Sequence, residues 1–343
     1  MKRTLKKLFT TATIVAAATA ITAPISTSAI ASDDKFKLTL AADSGDKDSP
    51  IGRSMDMWSK LIKERSDGRI KVNVFYQGEL GGQQELFDQL VKGNVDMMLT
   101  WPQTSYDERI GVNVLPYLVL GWDDAIKAYG QGGWLSKIVD PVYQDMGLKY
   151  FGPYPEGFGG IATKGRYATN MSQAEGLKVR SQTIFPLPQT INAMGFQAVP
   201  IDWSEVYTSI QTGVVDGDSS NVIYWDYEYF RDQLDYYVHS KHNFSSYALI
   251  MNGSKWEELD AEDQGIIFDA AQEVIAKQFK DAKAEDEKWI KAAQEAGMEY
   301  IVPSTEEMRA WVKVVREQVW PQAEEKLGAE IMAEIRANAS VPN

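Results

Sequence analysis

Segments with strand-like and helix-like patterns alternate along this chain, and that order constrains the fold more than any other feature. Residues 36–41 alternate apolar and polar side chains as a half-buried strand does, and Ser49-Pro50 has the pattern of a helix start. The sequence then predicts a strand at 70–76, a helix at about 83–92 and a strand at 95–99. A β-α-β-α-β order predicts a parallel sheet covered by helices, in which ligands bind outside the carboxyl ends of the strands.

A motif with the pattern of a helix, a glycine and a strand occurs twice. Its first copy is Glu85-Leu86-Phe87, Leu90, Gly93 and Val95-Asp96, and its second copy is Glu205-Val206-Tyr207, Ile210, Gly213 and Val215-Asp216. Helix-glycine-strand transitions are common, so chance is one explanation of the match. The identical internal spacing favours the other explanation, which is two similarly built α/β lobes.

One predicted helix is unusually long. Residues 262–297 carry apolar side chains along one side, and Asp260 has the position of the N-cap. A helix of more than thirty residues extends about 50 Å, which exceeds what one small lobe needs. The helix therefore either spans two lobes or forms a dimer contact. A last helix is predicted after Ser304, where Glu307 completes a capping box.

The first 31 residues have the features of a secretory signal peptide. Four positive charges within residues 2–7 precede an apolar stretch, and Ala29-Ile30-Ala31 matches a cleavage site. The apolar stretch is too short for a membrane anchor, which needs roughly 20 apolar residues. We therefore expect an exported protein that is cleaved near Ala31.

Charge balance and residue types exclude several function classes. The 343-residue chain has 35 basic and 48 acidic side chains, and its net charge of −13 argues against binding nucleic acid. It has no cysteine, so disulfides, thiolate nucleophiles and cysteine-ligated metals are excluded. No phosphate-binding loop or nucleophile elbow is present. The two histidines, His239 and His242, follow a strand-like segment that directs them to opposite faces, so we expect no metal and no cofactor.

Polar and aromatic side chains near the predicted strand ends are the candidate binding residues. Arg180 closes the alternating segment 176–180, and an arginine there can hold a carboxylate through two parallel hydrogen bonds. The alternative for Arg180 is a salt bridge between lobes. Four aromatic residues either stack against a ligand or fill the core, namely Trp101, Trp203, Trp225 and Phe244.

Five stretches of the sequence resemble the solute receptors of tripartite ATP-independent periplasmic (TRAP) transporters, of the dicarboxylate-receptor type. They are Leu80-Gly81, Val91 to Asp96, Gly176 to Arg180, Glu205-Val206-Tyr207 and Gly213 to Gly217. The resemblance covers essentially the whole mature chain, and the order and spacing of the stretches make it specific. It implies an α/β periplasmic binding protein fold of the Venus-flytrap type. Each of its two lobes holds a mixed sheet flanked by helices, and a long helix spans both.

The resemblance also implies domain boundaries and a function. Lobe I would comprise residues 32–157 and 246–285, and lobe II residues 158–245 and 286–343. The lobes would close over one organic anion, a carboxylate or a sulfonate. They would deliver it in the periplasm to the small and large permease subunits, which use an ion gradient. Such receptors are not enzymes, and the family is mostly monomeric.

Individual site residues carry over by position. Arg180 matches the family's signature arginine, which pairs with a substrate carboxylate. The other matching or neighbouring positions are Thr183, Trp203, Ser220, Asn221, Gln83, Thr100, Trp101 and Asp43. Some members have a second arginine where this chain has Gly160, which argues against a doubly clamped ligand. The loss would leave room near Glu156 and Phe158 for bulk, a hydroxyl or an amine.

The sequence leaves three other functions open. A receptor of the same fold can serve a sensor kinase instead of a permease. It can also bind a zwitterionic osmolyte, for which aromatic walls would matter more than Arg180. A secreted hydrolase or lyase would use carboxylates such as Glu156 with Asp43 or Asp218, although no sequence motif supports one.

Overall fold

Residues 36–342, which the computed structural model describes, form two β-sheets flanked by helices. The strands are β1 (Phe36–Ala41), β2 (Ile70–Phe75), β3 (Met97–Thr100), β4 (Leu148–Phe158), β5 (Ile161–Thr163), β6 (Lys178–Ser181), β7 (Gln197–Pro200), β8 (Gly217–Ser219), β9 (Tyr236–Val238), β10 (Phe244–Asn252) and β11 (Glu299–Ile301). The signal peptide predicted at residues 1–31 lies outside the described residues.

Helices occupy most of the chain between these strands. They are α1 (Pro50–Arg65), α2 (Gln83–Val91), α3 (Trp122–Tyr129), α4 (Trp134–Asp145), α5 (Met171–Ala174), α6 (Leu187–Ala193), α7 (Val206–Gln211), α8 (Ile223–Phe230), α9 (Gly253–Glu257), α10 (Ala261–Glu295), α11 (Thr305–Leu327) and α12 (Ala329–Asn338). Two short 3-10 helices cover Glu108–Val114 and Trp203–Glu205. No helix within residues 36–342 combines the length and the apolar character needed to cross a membrane.

Both sheets are mixed. The first sheet has the strand order β2-β1-β3-β10-β4, in which β1 pairs in parallel with β2 and β3, as predicted, and β10 runs antiparallel to β3 and β4. The second has the order β11-β9-β5-β8-β6-β7, in which β6 is parallel to β7 and β8, and β5 is antiparallel to β8 and β9. Two mixed sheets flanked by helices confirm the predicted fold class.

Local sequence signals set the helix ends. Ser49 caps α1, since its Oγ accepts a hydrogen bond of 2.9 Å from the backbone N–H of Gly52. Asp260 caps α10 in the same way, and Ser304 and Glu307 form both bonds of a capping box at α11. The apolar stripe of α1 is fully buried at Ile51, Met55, Trp58 and Ile62. The predicted helix starts and the buried stripe are therefore confirmed. Burying each such side chain stabilises the fold by about 1.5 to 3 kcal/mol.

The two copies of the repeated motif occupy equivalent places in the two sheets. Each helix ends at a glycine in the left-handed region, Gly93 with φ 77° and Gly213 with φ 75°. In each copy the following aspartate accepts a hydrogen bond from the backbone N–H of the neighbouring strand. The pairs are Asp96 with Thr39 at 2.7 Å and Asp216 with Lys178 at 2.9 Å. The prediction of two similarly built halves is confirmed.

The chain passes from the first sheet to the second at a glycine pair. Strand β4 ends at Phe158 and β5 begins at Ile161, so Gly159 and Gly160 form the turn between them. A Cβ on Gly160 would lie 2.3 Å from the ring of Tyr237, so no side chain fits there without movement. The long helix α10 packs against α1 and β4 and also against α8 and β11, so it spans both halves.

The last two helices also contact both halves. Trp311 and Val315 of α11 pack in a core cluster with the second sheet, whereas Trp320 and Ile335 pack in a cluster with the first sheet. Gly328, with φ 86°, separates α11 from α12, where the sequence predicted one continuous helix. The strands of the two sheets agree with the predicted lobe segments to within two residues. The lobe boundaries themselves stay a prediction.

Candidate functional site

A cavity lies where strands of both sheets end. It has a free volume of about 20 Å³, and its lining residues are Asp43, Ser44, Gln83, Trp101, Arg180, Gln182, Trp203, Asn221, Trp225 and Tyr247. A groove of about 430 Å³ adjoins it and shares Asp43, Gln83 and Trp203. Because β1, β3, β6 and β8 all end beside the cavity, it occupies the position that the strand order predicted.

The guanidinium of Arg180 is buried in this cavity, with 1% of the residue exposed. Its Nε donates a hydrogen bond to the carbonyl oxygen of Ile201 at 2.9 Å, and its Nη1 donates to Oδ1 of Asp218 at 3.3 Å. Nη2 has no hydrogen-bond partner within the described residues, so it has donor capacity for a carboxylate. The ion pair joins β6 to β8 of the same sheet, so the alternative of a salt bridge between lobes is wrong.

Asp218 is held by a network of donors in the second sheet. Its Oδ2 accepts a hydrogen bond from Nδ2 of Asn221 at 2.6 Å, and its Oδ1 accepts one from the backbone N–H of Ser219 at 2.8 Å. Gln182 Nε2 in turn donates to Asn221 Oδ1 at 3.1 Å. Burial and the adjacent Asp218 raise the pKa of Asp226 well above its usual range. Asp218 is the carboxyl group that pairs with Arg180, and burial raises its pKa whereas the charge of Arg180 lowers it.

Asp43 lies on the first-sheet side of the cavity without a full set of partners. It is 8% exposed, and its Oδ1 has no hydrogen-bond partner within the described residues. Burial raises the pKa of Asp43 to about 7. The charge of Asp202 raises this pKa further, whereas the charge of Arg180 and a hydrogen bond from Thr100 lower it. Near neutral pH this carboxyl group therefore responds to any charge placed beside it.

Four aromatic side chains form the walls of the cavity, and they are Trp101, Trp203, Trp225 and Tyr247. The ring of Trp203 packs edge to face against Trp225 with 5.5 Å between centroids, and Trp225 stacks on Tyr247 at 6.4 Å. The Tyr247 hydroxyl shares a hydrogen bond of 3.1 Å with Ser44 Oγ. These contacts fix a set of rings that offers a ligand both apolar surface and π faces.

Glu156 lies behind this aromatic wall. Its Oε1 accepts a hydrogen bond from Trp225 Nε1 at 2.9 Å, and its Oε2 accepts one from Ser245 Oγ at 2.6 Å. Burial nevertheless raises the pKa of Glu156 to about 7. Glu156 therefore orients Trp225 and does not line the cavity. The room predicted beside it is occupied by Trp225, and Tyr237 packs on Gly160.

Seven of the thirteen predicted site residues line the cavity, namely Asp43, Gln83, Trp101, Arg180, Trp203, Asn221 and Trp225. Six do not, namely Thr100, Glu156, Phe158, Thr183, Ser220 and Phe244. The structure thus brings Asp43, Trp101, Arg180 and Asn221 together at the ends of β1, β3, β6 and β8, and it places Glu156, Phe158 and Phe244 beside the crossing between the sheets.

Each of the six has a different environment for a physical reason. Phe158 and Phe244 pack against each other at 5.2 Å in the first core, and Trp122 covers both. Ser220 is fully buried, with its Oγ 2.9 Å from His242 Nε2. Thr183 is exposed. Thr100 is buried beside Asp43, and its hydroxyl donates to the carbonyl oxygen of Trp101 at 3.2 Å.

Three cavity residues were not predicted, namely Ser44, Gln182 and Tyr247. Gln182 lies two positions after Arg180, so strand alternation would have placed it on the same face. Ser44 directly follows Asp43 in the same loop. Tyr247 lies in the middle of β10, whose nine residues are all buried, and nothing in its local pattern distinguishes it from the core. Within residues 36–342, no three histidine, aspartate or glutamate side chains are arranged to hold a metal ion.

Comparison with known proteins identifies the family. Residues 41–326 match the model of the bacterial extracellular solute-binding protein, family 7. The C4-dicarboxylate-binding periplasmic protein DctP of Rhodobacter capsulatus is 27% identical over 84% of this chain and 87% of its own length. The ectoine-binding periplasmic protein TeaA of Halomonas elongata is 23% identical over 81% of this chain and 82% of its own.

A solved structure has the same fold. A TRAP periplasmic solute-binding protein from Shewanella oneidensis with bound succinate superimposes with a TM-score of 0.82, at 22% identity, over 89% of this chain and all of that one. Proteins of this family are substrate-binding receptors of transporters and not enzymes. Because the family model covers most of the chain and the cavity lies where strands of both sheets end, this chain belongs to the solute-binding receptors of TRAP transporters, family 7 of the bacterial extracellular solute-binding proteins.

Proposed function

We propose that this protein binds a small organic carboxylate between its two lobes and delivers it to the small and large permease subunits of a TRAP transporter. One observation carries the proposal. Arg180 is buried in the cavity, and its Nη2 has no partner among the described residues. A buried guanidinium with spare donors binds a carboxylate strongly, since charge-assisted hydrogen bonds gain strength where water is excluded.

Ligand binding and lobe closure form one equilibrium in this proposal. Arg180 and Asn221 come from the second sheet, whereas Asp43 and Trp101 come from the first. A ligand that contacts both sets is bound more tightly by the closed arrangement, so it shifts the population toward closure. Apolar parts of the ligand that are buried against the tryptophans contribute about 25 cal/mol per Å².

The ligands named for similar proteins support a carboxylate. One relative is named for C4-dicarboxylates, a second is named for ectoine, and one similar structure holds succinate. All three molecules carry a carboxylate group and differ in the rest of their structure.

We further propose that the receptor acts in the periplasm as a monomer, after cleavage near Ala31. The basic start of the sequence, the apolar stretch and the Ala29-Ile30-Ala31 triplet support export. Mass spectrometry of the protein secreted into the periplasm of an expression host would report the mature N-terminus. Light scattering of the same sample would report the oligomeric state.

Substitution of Arg180 by lysine tests the proposed function. Arg180→Lys keeps a positive charge beside Asp218 but loses the planar fork that binds a carboxylate bidentately. We expect the affinity for any carboxylate that stabilises the wild type to fall at least tenfold in isothermal titration calorimetry. Arg231→Lys is the control, because Arg231 is exposed and pairs with Glu228 outside the cavity. Equal affinities of Arg180→Lys and the wild type would overturn the proposed role of Arg180.

A further inference from the structure

The positive charge of the cavity is balanced before any ligand arrives. Arg180 pairs with Asp218, whose side chain is fully buried. Asp43 adds a second carboxyl group on the other side of the cavity, and Asp202 adds to the negative potential at Asp43. A ligand with only a carboxylate would therefore add a negative charge to a site whose arginine is already paired and which holds a second carboxyl group, Asp43. Uncompensated charge in a desolvated site is costly.

Two buried acceptor atoms in the cavity have no donor. They are Oδ1 of Asp43 and Oε1 of Gln182, and neither has a hydrogen-bond partner within the described residues. The orientation of the Gln182 amide is fixed by the bond from its Nε2 to Asn221 Oδ1 at 3.1 Å. Buried acceptors without donors cost free energy, and a ligand that brings N–H groups satisfies them.

The aromatic walls suit the same ligand group. Trp101, Trp203, Trp225 and Tyr247 surround the cavity, and the π face of an indole attracts a cation within about 6 Å. The guanidinium carbon of Arg180 itself lies 5.8 Å from the ring centroid of Trp203. The cavity thus combines a carboxylate, unpartnered acceptors and aromatic faces, which together favour a positively charged nitrogen.

We infer that the ligand is a small zwitterion, with its carboxylate on Arg180 and a protonated nitrogen that donates to Asp43 and Gln182. The inference rests on the proposed function, because it uses Arg180 as the carboxylate site. It narrows the substrate class from organic anions to compact amino acids and related molecules with an N–H-bearing cation. The nitrogen balances the charge of Asp43, which has no counter-charge of its own because Arg180 pairs with Asp218.

Pairs of ligands that differ by one atom test the inference. The probes are L-proline with cyclopentanecarboxylate, L-pipecolate with cyclohexanecarboxylate, and γ-aminobutyrate with pentanoate. Each pair shares its carboxylate, and one member replaces the charged nitrogen with carbon. Ectoine and succinate complete the panel. Thermal unfolding identifies the compounds that stabilise the full mature protein, and calorimetry then measures their affinities.

We expect at least one zwitterion to bind about thirtyfold or more tightly than its carbon analogue, the effect of removing one partner from a buried charge pair. Carbon analogues or succinate that bind as tightly as the zwitterions would overturn the inference and leave the proposed function intact. A panel in which no compound stabilises the protein would count against both, because every member presents a small carboxylate.

The variant Asp43→Asn tests separately whether Asp43 holds the nitrogen of the ligand. This variant keeps the shape of the side chain and removes its charge, so we expect the preference for the zwitterion over its carbon analogue to shrink by about tenfold or more. Asp67→Asn is the matched control, since Asp67 is exposed in a turn with φ 49°, which asparagine also adopts. An unchanged preference in Asp43→Asn would show that Asp43 does not hold the nitrogen. Thermal unfolding of both variants checks that they fold.

Discussion

The two halves of the molecule have the same repeated scaffold but different chemistry at its strand ends. Asp96 contacts Thr39 in the first half, and Asp216 contacts Lys178 in the second. The residues two positions after these pairs are Met98 and Ala41 in the first half, and Asp218 and Arg180 in the second. Ala41 and Met98 pair across β1 and β3 as core side chains. Equivalent positions thus hold an apolar pair in one half and an ion pair in the other. The scaffold supplies the position, and the residues in the second half supply the charge.

The halves also differ in how fully their polar groups are partnered. Asp218 accepts hydrogen bonds from Arg180, Ser219 and Asn221, so its position is fixed without a ligand. Asp43 in the first half retains an unpartnered oxygen. The second half is therefore organised in advance, whereas the first half gains its missing contact when a ligand binds and the lobes close.

Breaking the ion pair of the second half should have the largest effect. We expect Arg180→Met to lower the free energy of unfolding by about 3 to 5 kcal/mol, because Asp218 would remain buried without its counter-charge. The double variant Arg180→Met with Asp218→Asn should recover most of this stability without recovering carboxylate binding. Urea unfolding and calorimetry measure the two quantities. A single variant as stable as the wild type would contradict the account of a pre-formed ion pair.

The unpartnered carboxyl of the first half should make stability depend on pH. Burial raises the pKa of Asp43 to about 7, so the folded state binds more protons than the unfolded state between about pH 4 and 7. Its contribution to stability is therefore lost as pH rises through 7. We expect the stability of Asp43→Asn relative to the wild type to increase by roughly 2 to 3 kcal/mol between pH 5 and pH 8.

The pH effect of Asp43 is measured as the difference in unfolding free energy between Asp43→Asn and the wild type. Burial lowers the pKa of His239 and His242 to about 3, which makes the fold more stable as pH rises toward the ordinary histidine pKa. That opposite trend is common to both proteins and cancels in the difference. Urea unfolding at the two pH values measures it. A constant difference would mean that Asp43 is not perturbed by burial.

Removing one aromatic wall should have a smaller effect on binding. Trp203 contacts Trp225 and lies over Arg180, so Trp203→Ala exposes part of the cavity to water. We expect ligand affinity to fall about tenfold, which corresponds to about 1.4 kcal/mol. Trp256→Ala serves as the control, because Trp256 packs against Phe151 outside the cavity. Affinity unchanged in Trp203→Ala, or reduced equally in both variants, would remove Trp203 from the ligand wall.

The repeated glycines should give the smallest and most similar effects. Gly93→Ala and Gly213→Ala each place a Cβ in the left-handed region, which costs about 1 kcal/mol of unfolding free energy. Equal losses in chemical denaturation would support equivalent roles in the two halves. Losses that differ by more than about twofold would show that the match between the two motifs does not extend to their energetics.

Sequence patterns predicted the parts of this fold that depend on near neighbours. The caps at Ser49 and Ser304, the alternation that ends at Arg180 and the repeated glycines are all short-range signals. The pairing of strands that are far apart in the sequence was not predictable in the same way. Asp218 meets Arg180 because β8 lies beside β6, and their residues are 38 positions apart. No local sequence pattern predicts that β8 pairs with β6.

The candidate site was predictable to a similar extent and for the same reason. Arg180 and Asp43 follow predicted strands, and parallel topology brings such ends together. Tyr247 was missed because β10 returns to the first sheet between β3 and β4, a crossing that depends on the whole chain. Phe158 was predicted from the room expected beside Gly160, and Phe244 as an aromatic residue that stacks on a ligand or fills the core. Both lie in the core, where Trp122 of α3 covers them.

The number of protons exchanged on binding tests most directly whether the two sides of the cavity hold opposite charges. Calorimetry at pH 7 in buffers of different ionisation enthalpy gives this number for the tightest ligand of the panel. A cation placed beside Asp43 lowers its pKa, so the account predicts that binding releases protons and that Asp43→Asn abolishes most of the release. Proton uptake on binding would contradict it, because an anion beside Asp43 raises that pKa.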